Sequence, residues 1–165
     1  MKSNSSYPYF NIHNSRSLRL YRLCFIISKL QYNRNKSLAL TIEKLSVFNE
    51  MLINNELAEI VLSHFKPEKT LGVSKNSSFR KNVSESITEM ISSNDTQKSI
   101  IELCNLKIVS LVIKSGVIYI SLSDEFKLNI EGQLIDEWSA TMKNLSFLTS
   151  KSTNQIITPL IGESL

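Results

Sequence analysis

Apolar positions recur at three- and four-residue steps through most of this chain, the spacing of amphipathic helices. In the first such stretch Leu20, Leu23, Ile27 and Leu30 form one stripe, while Leu18, Tyr21, Phe25 and Ile26 spread apolar surface around the rest. A helix apolar nearly all round is one that sits in a core or an interface. Asn14 or Ser15 can cap it, and it runs to about Tyr32. Thr41 reads as the cap of a second helix, with Glu43 in the first turn and Leu45, Phe48, Met51 and Leu52 inward. Asn54-Asn55 breaks it. A third helix follows with Asn55 as cap and Leu57, Ile60, Val61 and Phe65 inward, and Pro67 stops it.

Residues 66–82 lose the pattern: Lys66, Lys69, Lys75, Arg80 and Lys81 stand against Glu68 alone, and Phe79 keeps a docking role open. That composition predicts a mobile basic loop or a binding segment. A short helix over about 83–92 and a longer one over about Thr96 to Val109 come next. There the period changes. Leu111-Val112-Ile113 and Val117-Ile118-Tyr119-Ile120 flank Lys114-Ser115-Gly116, which predicts a hairpin. A last helix covers about Ile130 to Leu148, with Leu134, Ile135, Trp138, Met142 and Leu145 in register. The tail is polar from Thr149, then apolar again at Ile156, Ile157, Leu160 and Ile161, a segment that packs back or binds a partner.

A helix followed by a hairpin is how a winged helix ends. The expected fold class is therefore α+β, mostly α: a winged helix-like core with a C-terminal hairpin as wing and flanking helices. At 165 residues the chain reads as one domain over 15–148, with an N-terminal arm over 1–14 and a tail over 149–165. In the arm, Tyr7, Tyr9 and Phe10 are costly to leave in water. They join Phe79, Ile156, Ile157, Leu160 and Ile161 as candidate partner-binding residues.

Charge sharpens the picture. The first acid is Glu43, so residues 1–42 carry seven bases and a net of +7; the other 12 of the 19 bases face all 15 acids, a net of −3. A basic end on a mildly acidic body suits phosphate contact, and Arg16, Arg19, Arg22, Lys29, Arg34 and Lys36 are the candidate nucleic-acid-binding residues. The same arginines, three apart, read equally as a solvated helix edge. The helix before the hairpin has Lys98 and Lys107 but also Glu102 and no Arg, which is poor for reading bases.

Catalytic chemistry finds no foothold. His13 and His64 have no nucleophile beside them, the four glycines are scattered, and Asp124-Glu125 and Asp136-Glu137 are adjacent acids that point apart. No metal site, cofactor or enzymatic activity is expected. Cys24 and Cys104 read as buried free thiols of a reducing cytosol. No apolar leader and no membrane-length run is present, so a cytoplasmic protein is expected.

RSLRLYRLCFIISKL, then LALTIEKLSVFNEMLINNELAEIVL, then the helix and hairpin, resemble the middle component of bacterial three-component ABC-type systems, the group that includes the Lamassu anti-phage and anti-plasmid systems. The likeness covers about two thirds of the chain, and its motifs are hydrophobic ones. It implies a non-catalytic accessory subunit that holds a nuclease-type effector to an SMC-like coiled-coil ATPase and helps sense foreign DNA, with double-stranded DNA as a further partner. The basic end by itself allows a different class, a winged-helix DNA-binding transcriptional regulator.

Overall fold

The computed structural model describes residues 15–67, 94–129 and 132–161. The arm with Tyr7, Tyr9 and Phe10, most of the basic loop with Phe79, and the expected helix at 83–92 lie outside the described residues. The described chain is α+β and mostly helical: α1 (Arg16–Leu30), α2 (Ile42–Ile53), α3 (Asn55–Phe65), α4 (Asn94–Asn105), β1 (Val109–Lys114), β2 (Val117–Leu122), α5 (Gln133–Leu145), a 3₁₀ turn (Ser146–Ser150) and α6 (Thr153–Ile161).

Helix starts follow capping chemistry. Ser15 Oγ accepts from Leu18 N at 3.3 Å and Thr41 Oγ1 from Lys44 N at 3.4 Å, each satisfying a first-turn N–H. The cap of α3 is Asn54 rather than Asn55, because Asn54 is the extended residue and its Oδ1 takes the Glu56 N–H at 3.0 Å.

The ends of α4 and α5 fall earlier than the pattern predicts. α4 stops at Asn105, not at Val109. Lys107 takes a left-handed φ of 59°, Lys107 N bonds Cys104 O and Ile108 N bonds Leu103 O, both at 2.9 Å. That is a Schellman end with lysine where glycine is the usual signal. It frees Val109 for a strand. α5 gives way at Leu145 to the 3₁₀ turn, where Ser146, Thr149 and Ser150 hydroxyls each donate to a carbonyl three residues back. The tail is a helix: Ser152 Oγ accepts from Gln155 N at 3.2 Å while Gln155 Oε1 accepts from Ser152 N at 2.9 Å, a reciprocal capping box.

α1 is the central element. Leu23, Phe25, Ile26, Ile27 and Leu30 are buried among α2, β2, α5 and the 3₁₀ turn. Trp138 of α5 lies against its near side, with ring centroids 5.6 Å from Phe25 and 6.3 Å from Tyr21. α6 packs on α3 and α2, burying Ile156 and Leu160. β1 and β2 form a two-stranded antiparallel hairpin whose base docks on the body: Ile120 N donates to Leu40 O at 2.9 Å and Leu122 N to Gln31 Oε1 at 2.9 Å. Leu38 also bridges Tyr32, closing the segment between α1 and α2 on itself.

Candidate functional site

The hairpin turn is built from Ser115 (φ 52°) and Gly116 (φ 76°). Positive φ at both central residues is the type I′ turn that matches the twist of paired strands. The register sets the faces. Val109, Leu111 and Ile113 stand opposite Leu122, Ile120 and Ile118, so one face carries six aliphatic side chains. The other carries Ser110, Val112 and Lys114 opposite Ser121, Tyr119 and Val117.

Only the base of this hairpin is covered. Val109 and Ile120 are buried, but Leu111 is 48% exposed, Val112 37%, Ile113 74%, Val117 41% and Ile118 44%. Full burial of such a side chain is worth about 1.5–3 kcal/mol, so five of them left half in water forgo roughly 4–7 kcal/mol. That is comparable to the whole stability of an ordinary domain. Apolar surface on both faces of one hairpin makes it the candidate docking surface among the described residues. The signal was present in the sequence: Leu111-Val112-Ile113 is a continuous run, not an alternation, so both sides of the strand call for a cover.

Beyond the buried Val109, the hairpin also has an open edge at Leu111 and Ile113. Lys114 and Val117 close the turn as a hydrogen-bonded pair, so the N–H and C=O groups of Val109, Leu111 and Ile113 point away from β2. The outward N–H groups of Ile120 and Leu122 on β2 are taken by Leu40 and Gln31. Among the described residues, no backbone bond from another segment reaches the outward groups of β1.

The basic candidates divide into two groups. Arg16 pairs with Glu102 of α4, its Nε 3.2 Å from Oε2, and Arg19 lies 3.8 Å from Asp95. Arg22 is not on a surface at all: it is 2% exposed, and its Nε donates to Asn49 Oδ1 at 2.7 Å. Asn49 Nδ2 in turn donates to Glu50 Oε1 at 3.2 Å. Burial pushes the Glu50 carboxyl above the usual carboxylate range, against the opposing pull of its Asn49 bond and the Arg22 charge. Arg22 therefore ties α1 to α2 in the core, while Arg16 and Arg19 make exposed pairs with α4. Lys29, Arg34 and Lys36 are exposed, on the last turn of α1 and the loop after it.

Of the tail candidates, Ile156 and Leu160 are used in the core, Ile157 is half-buried and Ile161 is 44% exposed. Asp124-Glu125 and Asp136-Glu137 are exposed. No three His, Cys, Asp or Glu side chains among the described residues gather as metal ligands. Cys24 is buried and its thiol is pushed up to about 11; Cys104 is half-buried, shifted the same way by burial, and both are free. No helix among the described residues is long and apolar enough to cross a membrane. No family model, curated protein or solved structure matches this chain.

Proposed function

We propose that this chain is a non-catalytic accessory subunit whose work is to hold other proteins together. The observation that carries this reading is the projecting hairpin, with Leu111, Val112, Ile113, Val117 and Ile118 half in water on two faces beside an open strand edge. A surface of that composition suits a protein partner better than a phosphate backbone, since Lys114 is its one charge.

The core is read as winged helix-like. One main-chain bond, from Ile120 N to Leu40 O, lays the end of the segment before α2 along β2 on the side away from β1, which is compatible with the first strand of a winged helix. The resemblance to the middle component of three-component ABC-type systems supplies the partners: an SMC-like coiled-coil ATPase and a nuclease-type effector, in a cytoplasmic complex that senses foreign DNA. For the regulator reading, Arg22 is withdrawn into the core on Asn49, while Arg16 and Arg19 keep solvent-facing ion pairs with Glu102 and Asp95. Lys29, Arg34 and Lys36 remain for any DNA contact the complex makes.

The test is affinity purification of the tagged chain from its native host at moderate salt, with mass spectrometry of the proteins recovered. Recovery of a large coiled-coil ATPase with a nuclease-like protein is the expected result. Recovery of the chain alone, or with DNA only, overturns the reading.

A further inference from the structure

We propose that the loop from Tyr32 to Ser37, with Lys29 on the helical turn before it, holds the phosphate backbone of duplex DNA; this rests on the DNA-sensing part of the reading above and gives it a site. No acid precedes Glu43 in the chain, and the structure sorts the bases of that stretch. Arg16, Arg19 and Arg22 have partners on α4 and α2. Lys29, Arg34 and Lys36 are exposed, and among the described residues none of them makes an ion pair. Asp124 and Glu125 follow the strand that meets the base of this loop at Gln31, yet neither comes within ion-pair distance of its bases. Lys29 has an ordinary account as a cation on the last turn of α1, 5.6 Å from the centre of the Phe25 ring. Arg34 and Lys36 stand past the helix end and have no such account.

The loop is braced from within. Asn33 Oδ1 accepts from Asn35 N at 2.9 Å and from Ser37 N at 3.0 Å, Lys36 N donates to Asn33 O at 3.0 Å, and Asn33 N donates to Ser37 O at 2.9 Å. From Asn33 to Ser37 only the Arg34 N–H, at the tip, has no partner among the described residues. Lys36 holds a left-handed φ of 57°, where such turns favour glycine. The tip therefore presents Arg34, Asn35, Lys36 and Ser37 from a fixed backbone, beside a Tyr32 that is 51% exposed. Arginine, lysine, serine, asparagine and tyrosine side chains, with a main-chain N–H, are the groups that bond phosphate oxygens. A membrane surface calls for apolar side chains to insert, and Arg34 to Ser37 offer none. A single strand is held by stacking successive bases on several aromatic rings, and this loop has Tyr32 alone. The loop lays no helix in a groove, so the contact is indifferent to base sequence.

Fluorescence anisotropy of a dye-labelled duplex of mixed sequence, titrated with the purified full chain over a range of salt, tests the site. Three phosphate contacts at about 0.9 each give a plot of log affinity against log salt a falling slope of at least about 2.7. Arg34→Ala and Lys36→Gly should each reduce that slope by about 0.9, which is on the order of tenfold in affinity near about 0.05 M salt. Lys143→Ala removes the same charge from an exposed position on α5 and should leave the slope as it was. Glycine suits the φ of 57°, so the urea midpoint of Lys36→Gly should hold or rise while its DNA binding falls, which separates the lost contact from a lost fold. An unmodified chain that binds no duplex at low salt overturns the site. So does a slope unmoved by Arg34→Ala and Lys36→Gly, which puts the DNA elsewhere, or one lowered as much by Lys143→Ala, which leaves only net charge. Tighter binding to a single strand, or to phosphatidylglycerol vesicles at equal phosphate, overturns the duplex assignment. None of these results touches the protein partners: the accessory-subunit reading stands or falls on their co-purification.

Discussion

Replacing Asn49 with alanine takes from the Arg22 guanidinium the acceptor that sits 2.7 Å from its Nε. Arg22 is 2% exposed, so water does not step in. A hydrogen bond from a charged donor contributes about 1.5–3 kcal/mol, and stranding the donor adds its desolvation, so Asn49→Ala should lose about 2–4 kcal/mol. Arg22→Met removes the buried charge itself. The relief of desolvation then offsets the lost bonds, and the net change should stay within about 1 kcal/mol. In the Arg22→Met background no guanidinium remains to be stranded, so Asn49→Ala should cost about 1 kcal/mol or less, and the double-mutant cycle should show a coupling of at least about 1 kcal/mol. Urea unfolding followed by circular dichroism and by Trp138 fluorescence reads these differences; Trp138 is the only tryptophan and is buried beside Phe25. With an m-value of about 2 kcal/mol/M the Asn49→Ala midpoint should fall by about 1–2 M. Costs that simply add would refute the view of Arg22 as internal glue and return it to the pool of surface bases.

Three further outcomes follow from the same packing. Ile120→Ala, at a fully buried position, should cost about 2–4 kcal/mol in thermal or urea unfolding, whereas Ile113→Ala on the projecting part of the same face should cost less than about 0.5 kcal/mol. In the folded chain at pH 8, iodoacetamide should label Cys104 well before Cys24, whose buried thiol is pushed up to about 11; mass spectrometry of the modified peptides decides it. Because burial raises the Glu50 carboxyl, its folded state holds the proton more tightly than the unfolded chain does. Stability contributed there is present at low pH and is lost as pH rises from the unfolded value of about 4.3 through the folded one. Glu50→Gln should remove that part of the decline in urea midpoint measured across this range.

Much of the architecture was legible in the residue pattern. The stripes at Leu20–Leu30, Leu45–Leu52 and Leu57–Phe65 place three helices, Ser15 and Thr41 mark two starts, and the β-branched runs around Ser115-Gly116 mark the hairpin. What escaped has local causes. The end of α4 is a left-handed lysine, which carries no glycine or asparagine signal. The helical tail is announced by Ser152 and Gln155, a capping box hidden in a polar stretch. The arginine stripe of α1 shows helical spacing in the sequence, but its acids and amide come from α4 and α2, some 27 to 86 residues away. Only the folded chain brings Glu102 to Arg16 and Asn49 to Arg22. The candidate site was half visible: the hairpin stood out as a fold signature, while its exposure depends on how far β1 and β2 project past Val109 and Ile120.

The hairpin as a protein-docking surface is tested most directly by quantitative co-purification from the native host, comparing the unmodified chain with a Leu111→Asp, Ile113→Asp variant at equal expression. Both substitutions sit at exposed positions outside the core, and circular dichroism of the variant is the check that the fold is kept. The expected result is recovery of a coiled-coil ATPase and a nuclease-like protein with the unmodified chain, and at least about a tenfold loss with the variant, the scale set by uncovering a buried apolar anchor. Equal recovery with both chains, or recovery of no partner by either, contradicts it.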